Sequence, residues 1–438
     1  MSKFKCKIEK SSIPIILILV IAAIMRIAVL SEMNVDYNLA SDDLSYINSA
    51  ITFVHTGQIT MHGVLSAQIM PGMPLLLAPF ILCFGTGTFM WMGVKALWIL
   101  MGLLSIYFVY RIVCLYANRY YGALAAFFFL SIDFAWMDNL ILTETPFMFS
   151  FILLIYLSLK LGKTQEKKYY WLIIVTYIFC LLIRPTIAPY PIFLFVYLYF
   201  CKYDMKLMFQ QILIAGGILS CIIVPWTIRN YIQFDAFVPL TYGMGNPKLM
   251  GTYQGVGFPL DKDLDYEKNV IANMPKEMKH YYNNGKWLDH YMSKYYSLEL
   301  DGMKADYRMS YWWEHDKKSM LKSYLIYKPY GMVYNSFYWA TPFNISDDIN
   351  MLFRKVDLFL CFFATIGILL NRRRIKELLL IASFYIFQII VYSYSFSFSR
   401  YAQTLYFIRY IIIGLGLYEL WQYLLNRKKK QQIRKVND

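Results

Sequence analysis

Long apolar runs separated by short polar ones recur along the chain, and their lengths set the elements. About 20 apolar residues cross a bilayer as a helix, and about ten segments approach that length. They are Ile13–Leu30, Phe89–Tyr110, Gly122–Met137, Ile141–Lys160, Tyr169–Leu182, Ile187–Cys201, Met208–Pro225, Val356–Leu370, Leu378–Tyr394 and Ala402–Leu425. The expected fold class is an all-α polytopic membrane bundle. Shorter patterns fall between the spans. Leu75–Phe84, following Pro71-Gly72-Met73-Pro74, is too short to span and is expected at the interface or re-entering. Ile47, Ala50, Ile51 and Val54 share one face of a helix that Ser41 opens and Gly57 ends. Tyr327, Tyr330, Tyr334, Phe337, Tyr338 and Trp339 fit an amphipathic helix in the aromatic belt. No internal repeat is visible, so the inverted-repeat signature of many transporters is missing.

Composition sharpens this picture. Of 438 residues 58% are hydrophobic and only 16% charged, and the mean hydropathy is +0.41. Soluble domains carry roughly 25% charged residues, so an ordinary water-soluble enzyme and a disordered chain are both excluded. A net charge of +15 would suit nucleic acid if it formed one face. Here Lys and Arg come in short clusters between apolar runs, and no nucleic-acid partner is expected. The clusters at Lys3 to Lys10, Arg111 and Arg119, Lys163 to Lys168, Lys202 and Lys206, Arg372 to Lys376 and Arg427 to Lys430 fall on one side if the spans alternate. By the positive-inside rule that side is cytoplasmic. Both termini are then cytoplasmic, and Lys3, Lys5, Lys7 and Lys10 flank a retained first span with no small-x-small cleavage site after it. High Lys and Ile usage with few disulfide candidates fits a bacterial plasma membrane. The seven cysteines show no CxxC or zinc spacing and read as buried thiols.

The same alternation divides the chain into an N-terminal transmembrane module (1–228) with a first outer loop (31–88), an outer loop or small domain (229–354), C-terminal transmembrane helices (355–426) and a basic tail (427–438). Candidate chemistry gathers on the outer side. Asp42 and Asp43 begin a helix just after the first span, as a general base or cation site, or as partners of the helix's positive end with Ser41 as cap. Glu144 opens the fourth span, and a carboxylate at the rim of an apolar slab is expensive enough to mark function. Lys95 lies inside the second span and Arg26 inside the first; each either snorkels or meets an anionic headgroup. Arg184, Arg229 and Arg400 sit at outer span ends, where they anchor to lipid or form a phosphate clamp. None of the five histidines shows metal-ligand spacing, and no Walker A or dinucleotide motif is present.

Arg26, Asp42-Asp43 with Tyr46 and Ala50, Pro71-Gly72-Met73-Pro74-Leu75-Leu76-Leu77-Ala78, Leu142-Thr143-Glu144, Arg184-Pro185, Pro225-Trp226-Thr227-Ile228-Arg229-Asn230-Tyr231 and Arg400-Tyr401 follow one another in order. In that order they resemble the family 39-like, GT-C fold membrane glycosyltransferases, which include protein O-mannosyltransferases and bacterial lipid A aminoarabinose transferases. The resemblance covers most of the chain except about Asn246 to Lys322. It implies an integral-membrane hexosyl- or pentosyltransferase that moves a sugar from a polyprenyl-phosphate donor to a lipid, glycan or protein acceptor of the cell envelope, on the extracytoplasmic face. Asp42 matches the family's base or metal and phosphate partner, Asp43 its acidic neighbour, and Glu144 the second acid. Lys95, Arg184, Arg229 and Arg400 would neutralise the carrier phosphate, with inversion at the anomeric centre. A divalent cation on Asp42 and Glu144 stays an open option. Where some members carry a His- or Glu-containing element before a Pro-Pro pair, this chain has Gln68-Ile69-Met70-Pro71-Gly72, which offers no metal ligand there. A secondary transporter or lipid flippase and a surface-glycan ligase or polymerase are the alternatives; a transporter would place its ionisable groups near mid-membrane, not at span ends on one side.

Overall fold

The computed structural model describes residues 13–283 and 285–437, with side chains to residue 432. The basic flank expected at Lys3, Lys5, Lys7 and Lys10, and Cys6 with it, lies outside them. The chain is a helical bundle: α1 (Ile13–Met33), α2 (Asp42–Thr56), α3 (Gly72–Phe84), α4 (Thr88–Cys114), α5 (Arg119–Phe127), α6 (Ile132–Met137), α7 (Glu144–Thr164), α8 (Lys167–Ile183), α9 (Tyr190–Phe200), α10 (Met205–Phe234), α11 (Gly245–Gly251), α12 (Lys276–His280), α13 (Tyr291–His315), α14 (Lys317–Lys322), α15 (Lys328–Tyr334), α16 (Asp348–Asn371), α17 (Ile375–Tyr394), α18 (Ser399–Gln403) and α19 (Phe407–Asn437). Two short hairpins complete it, β1–β2 (Thr60–Met61, Val64–Leu65) and β3–β4 (Tyr282–Asn283, Lys286–Trp287), both antiparallel.

Among the described residues, six helical stretches are long and apolar enough to cross a membrane: α1, α4, α7, α10, α17 and the stretch Ser399–Gln432. The protein is a multi-pass membrane bundle, with fewer full-length apolar helices than the ten runs suggested. The expected span Gly122–Met137 is broken into α5, a 3-10 turn at Phe128–Leu130, and α6. Ser131 at the break is extended, and its hydroxyl donates to Asp133 at 2.5 Å. The break brings a fully buried carboxylate to Arg354 of α16, at 2.6 Å. The run Ile187–Cys201 yields an 11-residue helix, because Pro185, Pro189 and Pro191 confine its start to a 3-10 turn and a fresh helix opening. α3 is a short helix with Leu82 71% exposed, as expected of an interfacial element. The aromatic belt helix ends at Tyr334, beyond which Asn335 is extended and Phe337 turns into the core.

Lipid is as apolar as leucine, so helices inside a bilayer associate through close packing and polar contacts. Both are visible. α16 and α19 meet across Ala364, Gly367 and Gly416, where a Cβ on Gly416 would stand 2.1 Å from the Ala364 carbonyl. Beside that seam Asp133, Arg354, Asp357 and Arg409 form a fully buried, charge-balanced row: Arg354 bonds Asp133 and Asp357, and Arg409 bonds Asp357 at 2.9 Å. A second buried pair, Arg26 with Asp138 at 2.8 Å, pins α1 to the segment before α7. Arg26 neither snorkels nor faces a headgroup.

The segment after α10 covers one end of the bundle. Val270, Met274, Met278 and Leu300 form a small core of its own. Trp226, Phe234, Val238, Tyr242, Met292 and Leu298 share another core with Ile59, Ala67 and Met70, so the two long loops pack on each other. Arg308 braces the segment, donating to Thr252, Pro259, Asp261 and Tyr266 with its guanidinium 3.7 Å from the Tyr253 ring. This end carries the first residues of α2 and α7, which are acidic, and the last of α8; the basic clusters among the described residues lie at the other end.

Candidate active site at the acidic end of the bundle

α2 starts as the apolar pattern requires and stops at Gly57, which is left-handed at φ 72. Its opening differs from expectation: the Ser41 side chain caps nothing. Asp43 does that work. It is fully buried, and its carboxylate accepts from the backbone N–H of Leu39 at 2.5 Å, Leu44 at 2.9 Å and Ser41 at 3.1 Å. With Asp43 folded back onto its own loop, the neighbouring Asp42 is left half-buried and facing a cavity. Lys95 supports the same loop. Its ammonium donates to the Tyr37 carbonyl at 2.8 Å and lies 5.9 Å from the Tyr37 ring and 6.0 Å from that of Trp91.

The other members arrive from distant helix ends. A residue before proline is driven out of the helical region; Arg184, before Pro185, is extended at φ −144, ψ 119 and ends α8. Its side chain turns to the first residue of α7, donating through Nε to Thr143 at 2.8 Å and through Nη2 to Glu144. Glu144 is fully buried. Arg400, on α18, donates through Nε to the same Glu144 oxygen and through Nη1 to Asp42 at 2.7 Å. The result is a row, Asp42–Arg400–Glu144–Arg184, with two negative and two positive charges. Buried charges persist only when paired in this way. Among the described residues, Arg184 Nη1 is buried without a partner.

Asp42, Arg184 and Arg400 of this row line a cavity of about 210 Å³ whose walls include Tyr46, Gln68, Met244, Tyr392 and Tyr401, with Glu144 buried behind them. Tyr46 lies one turn after Asp42 on α2. Burial, reinforced by the Asp42 carboxylate, holds its phenol above the ordinary value, so it is a neutral hydrogen-bond donor. His62, on the β1–β2 turn, stands 3.8 Å from Asp42 and shares a 3.1 Å hydrogen bond with Ser45.

Of the residues singled out from the sequence, Asp42, Arg184 and Arg400 line one cavity, and Glu144 joins the two arginines from behind its wall. Asp43, Lys95 and Arg229 do not line it. Arg229 donates to the carbonyls of Ser66 at 2.9 Å and Ile59 at 3.4 Å, gripping the segment that leads to Gln68–Met70. Tyr46, His62 and Thr143 were not read as site residues. The one-turn spacing from Asp42 signals Tyr46; nothing local signals His62. Asp42 and Glu144 do not suit a shared divalent cation, because the Arg400 guanidinium occupies the space between them. Among the described residues no group of three His, Cys, Asp or Glu side chains stands ready for a metal ion.

The fold is that of the GT-C membrane glycosyltransferases. The oligosaccharyltransferase AglB of Archaeoglobus fulgidus, in the apo form, is similar over 96% of this chain and 52% of its own, at 14% identity and TM-score 0.50. In complex with an inhibitory peptide and a dolichol-phosphate, AglB matches 95% of this chain at 12% identity and TM-score 0.50. This chain spans about half the length of that enzyme. ArnT from Cupriavidus metallidurans bound to undecaprenyl phosphate aligns over 92% of this chain and 77% of its own at 14% identity, with TM-score 0.39. No protein-family model matches the sequence, and no curated protein matches it.

Proposed function

We propose that this protein is a membrane glycosyltransferase that takes a sugar from a polyprenyl-phosphate donor and transfers it to a cell-envelope acceptor on the extracytoplasmic face. The observation that carries the reading is the row Asp42–Arg400–Glu144–Arg184 along the wall of a cavity at one end of a GT-C fold, with Asp42, Arg184 and Arg400 facing the cavity. The likeness to a protein solved in complex with a dolichol-phosphate supports a lipid-phosphate donor. The basic clusters at the opposite end support the orientation, acidic end outward.

The chemistry needs what the row contains. As the C1–O bond to the carrier breaks, its electron pair passes to the phosphate, which gains charge as it leaves. Cations aimed at that charge stabilise the transition state; Arg184, with its unpartnered Nη1, and Arg400 fill this role. Glu144 accepts from both and so fixes the two guanidiniums side by side. The acceptor hydroxyl attacks the opposite face of C1 and gives its proton to Asp42, inverting the anomeric centre. Tyr46 donates to a sugar or phosphate oxygen. Asp43, Lys95 and Arg229 position the walls. A cavity of about 210 Å³ is below the roughly 300–1,000 Å³ of drug-sized sites, in keeping with a pocket for one sugar and its phosphate.

The test is transfer by the purified protein in proteoliposomes supplied with polyprenyl-phosphate sugars. Sugar appearing on an envelope acceptor is the expected result. Movement of a solute or lipid across the vesicle with no glycosidic bond formed overturns the proposal in favour of a transporter.

A further inference from the structure

Asp42 has two carboxylate oxygens, and the row of charges uses one of them. Oδ2 accepts from Arg400 Nη1 at 2.7 Å. Oδ1 has a different neighbour, His62 Nε2, at 3.8 Å. His62 does not line the Asp42 cavity, and its side chain is 41% exposed, so it meets Asp42 from the solvent side.

The ring is held there by a short, anchored hairpin. Met61 pairs with Val64, which leaves His62 and Gly63 as a two-residue turn, both left-handed at φ 52 and φ 80. Such turns usually take Asn-Gly or Asp-Gly; here the first place carries an imidazole. Ile59 and Met61 are buried, and the Thr60 N–H donates to the Ser49 hydroxyl of α2 at 3.2 Å. Arg229 grips the base of the hairpin through the carbonyls of Ile59 and Ser66.

The hydrogen bonds around the ring fix its tautomer. Ser45 has one hydroxyl hydrogen, which it donates to the Ser41 carbonyl at 3.2 Å. Toward His62 Nδ1, 3.1 Å away, the same oxygen can then only accept. The hydrogen of a neutral His62 ring is thus on Nδ1, and Nε2 turns a lone pair toward Asp42 Oδ1. No hydrogen lies between a lone pair and a carboxylate oxygen, which accounts for a separation longer than a hydrogen bond. A hydrogen arriving on Oδ1 closes that gap.

We infer that His62 is the positioning residue of Asp42 and receives at Nε2 the proton that Asp42 takes from the acceptor hydroxyl. The proton step rests on the transfer reaction proposed above; the tautomer does not. As the acceptor oxygen bonds to C1 and the C1–O electron pair leaves with the phosphate, the hydroxyl proton lands on Oδ1, because Oδ2 is held by Arg400. The neighbouring guanidinium favours the charged carboxylate, so Asp42 does not keep the proton. An imidazole is the stronger base, and with substrates filling the cavity His62 offers a way out on the solvent side. Asp42 returns to a carboxylate, and the imidazolium passes its extra proton to water. One proton is released per sugar transferred, and nothing is oxidised or reduced.

The first test needs no transfer. Nitrogen-15 NMR of the full chain in proteoliposomes, with ring-labelled histidine at about pH 9 where imidazole is neutral, reads which ring nitrogen carries hydrogen. The His62 signals are those missing from His62→Asn, a residue that a left-handed turn accepts. The wild type is expected to carry hydrogen on Nδ1, and Ser45→Ala to shift it to Nε2, where it can face Asp42. Hydrogen on Nε2 in the wild type, or a tautomer indifferent to Ser45→Ala, overturns the inference. The second test is transfer from a labelled polyprenyl-phosphate sugar. His62→Asn and His62→Ala should lower kcat about tenfold with donor KM unchanged, less than the 10²–10⁴ of losing the base itself, and free imidazole should restore His62→Ala. Wild-type kcat in both variants overturns the inference, as does a loss that follows earlier melting and ignores imidazole, which would leave the turn a packing role. No transfer by the wild type, with the tautomer as expected, overturns the proposed function and with it the proton step alone.

Discussion

Replacing Asp42 and Glu144 by their amides separates chemistry from scaffolding. The two carboxylates are neighbours in the same row, yet their burial differs: the Asp42 side chain is 29% exposed and that of Glu144 is 0% exposed. In Asp42→Asn, Arg400 keeps its bond to Glu144, and the lost pair is partly solvated. Its contribution to stability is therefore about 1 kcal/mol or less. In Glu144→Gln, two buried guanidiniums lose their shared anion, and breaking such a pair costs about 3–5 kcal/mol. The order reverses for catalysis. Loss of a general base slows turnover by about 10²–10⁴, which is about 3–5 kcal/mol of barrier. Asp42→Asn also frees Arg400 to face the carrier phosphate, so donor KM should stay level or fall while kcat collapses. The assay is single-turnover transfer from a labelled polyprenyl-phosphate sugar, paired with thermal melting of the same preparations in detergent. Asp42→Asn with kcat within tenfold of wild type, or Glu144→Gln melting with the wild type, would refute this division of roles.

Three further outcomes are expected. Lys95→Met removes the ammonium that holds the Tyr37 carbonyl, so kcat should drop about tenfold through a displaced Asp42, less than in Asp42→Asn; a drop as large as that of Asp42→Asn would put Lys95 in the chemistry. Gly251→Ala would set a Cβ 1.6 Å from the Ser395 carbonyl, and Ser395 lines the cavity, so the variant should melt earlier and lose transfer, whereas unchanged melting shows that the cover is not held there. Lys328, outside the spans, bonds the carbonyls of Gly251 at 3.1 Å and Ser395 at 3.0 Å, and burial pulls it from 10.5 to about 7. Between those values the unfolded chain binds more protons than the fold, so stability is lowest near pH 7 and rises as pH climbs toward 10; the melting difference between wild type and Lys328→Met should widen in favour of wild type over that range, and a flat difference contradicts it.

Much of the architecture is written in local pattern. The apolar runs that became α1, α4, α7, α10 and α17 carry their own hydrogen bonds, and a helix that long and apolar has few other solutions in lipid. The end of α2 at Gly57 and the end of α8 at Arg184-Pro185 are dihedral preferences of single residues. The side of the bundle on which acids and bases collect follows from where they interrupt the runs. What local pattern does not contain is the rotation of each helix about its axis. Gly122–Met137 looks as apolar as its neighbours, and only the partner of Asp133, lying 221 residues away in Arg354, explains why it breaks.

The site shows the same boundary between local and long-range information. Arg184, Arg229, Arg400 and Lys95 are alike in sequence, each a cation at or near a span end. Two of them reach Glu144, one across 40 residues and one across 256, while Lys95 donates to backbone carbonyls and Arg229 to backbone carbonyls and the Asn230 side chain. Adjacent Asp42 and Asp43 differ just as sharply, because consecutive residues of a helix face different directions. The sequence by itself determined a membrane-embedded helical bundle, its likeness to one class of glycosyltransferase and the end of the molecule where charge accumulates, since these depend on residue type and spacing. Which cations stand beside which carboxylates was decided only by the tertiary structure, because buried charges must be paired and the pairing is set by how distant helix ends are brought together.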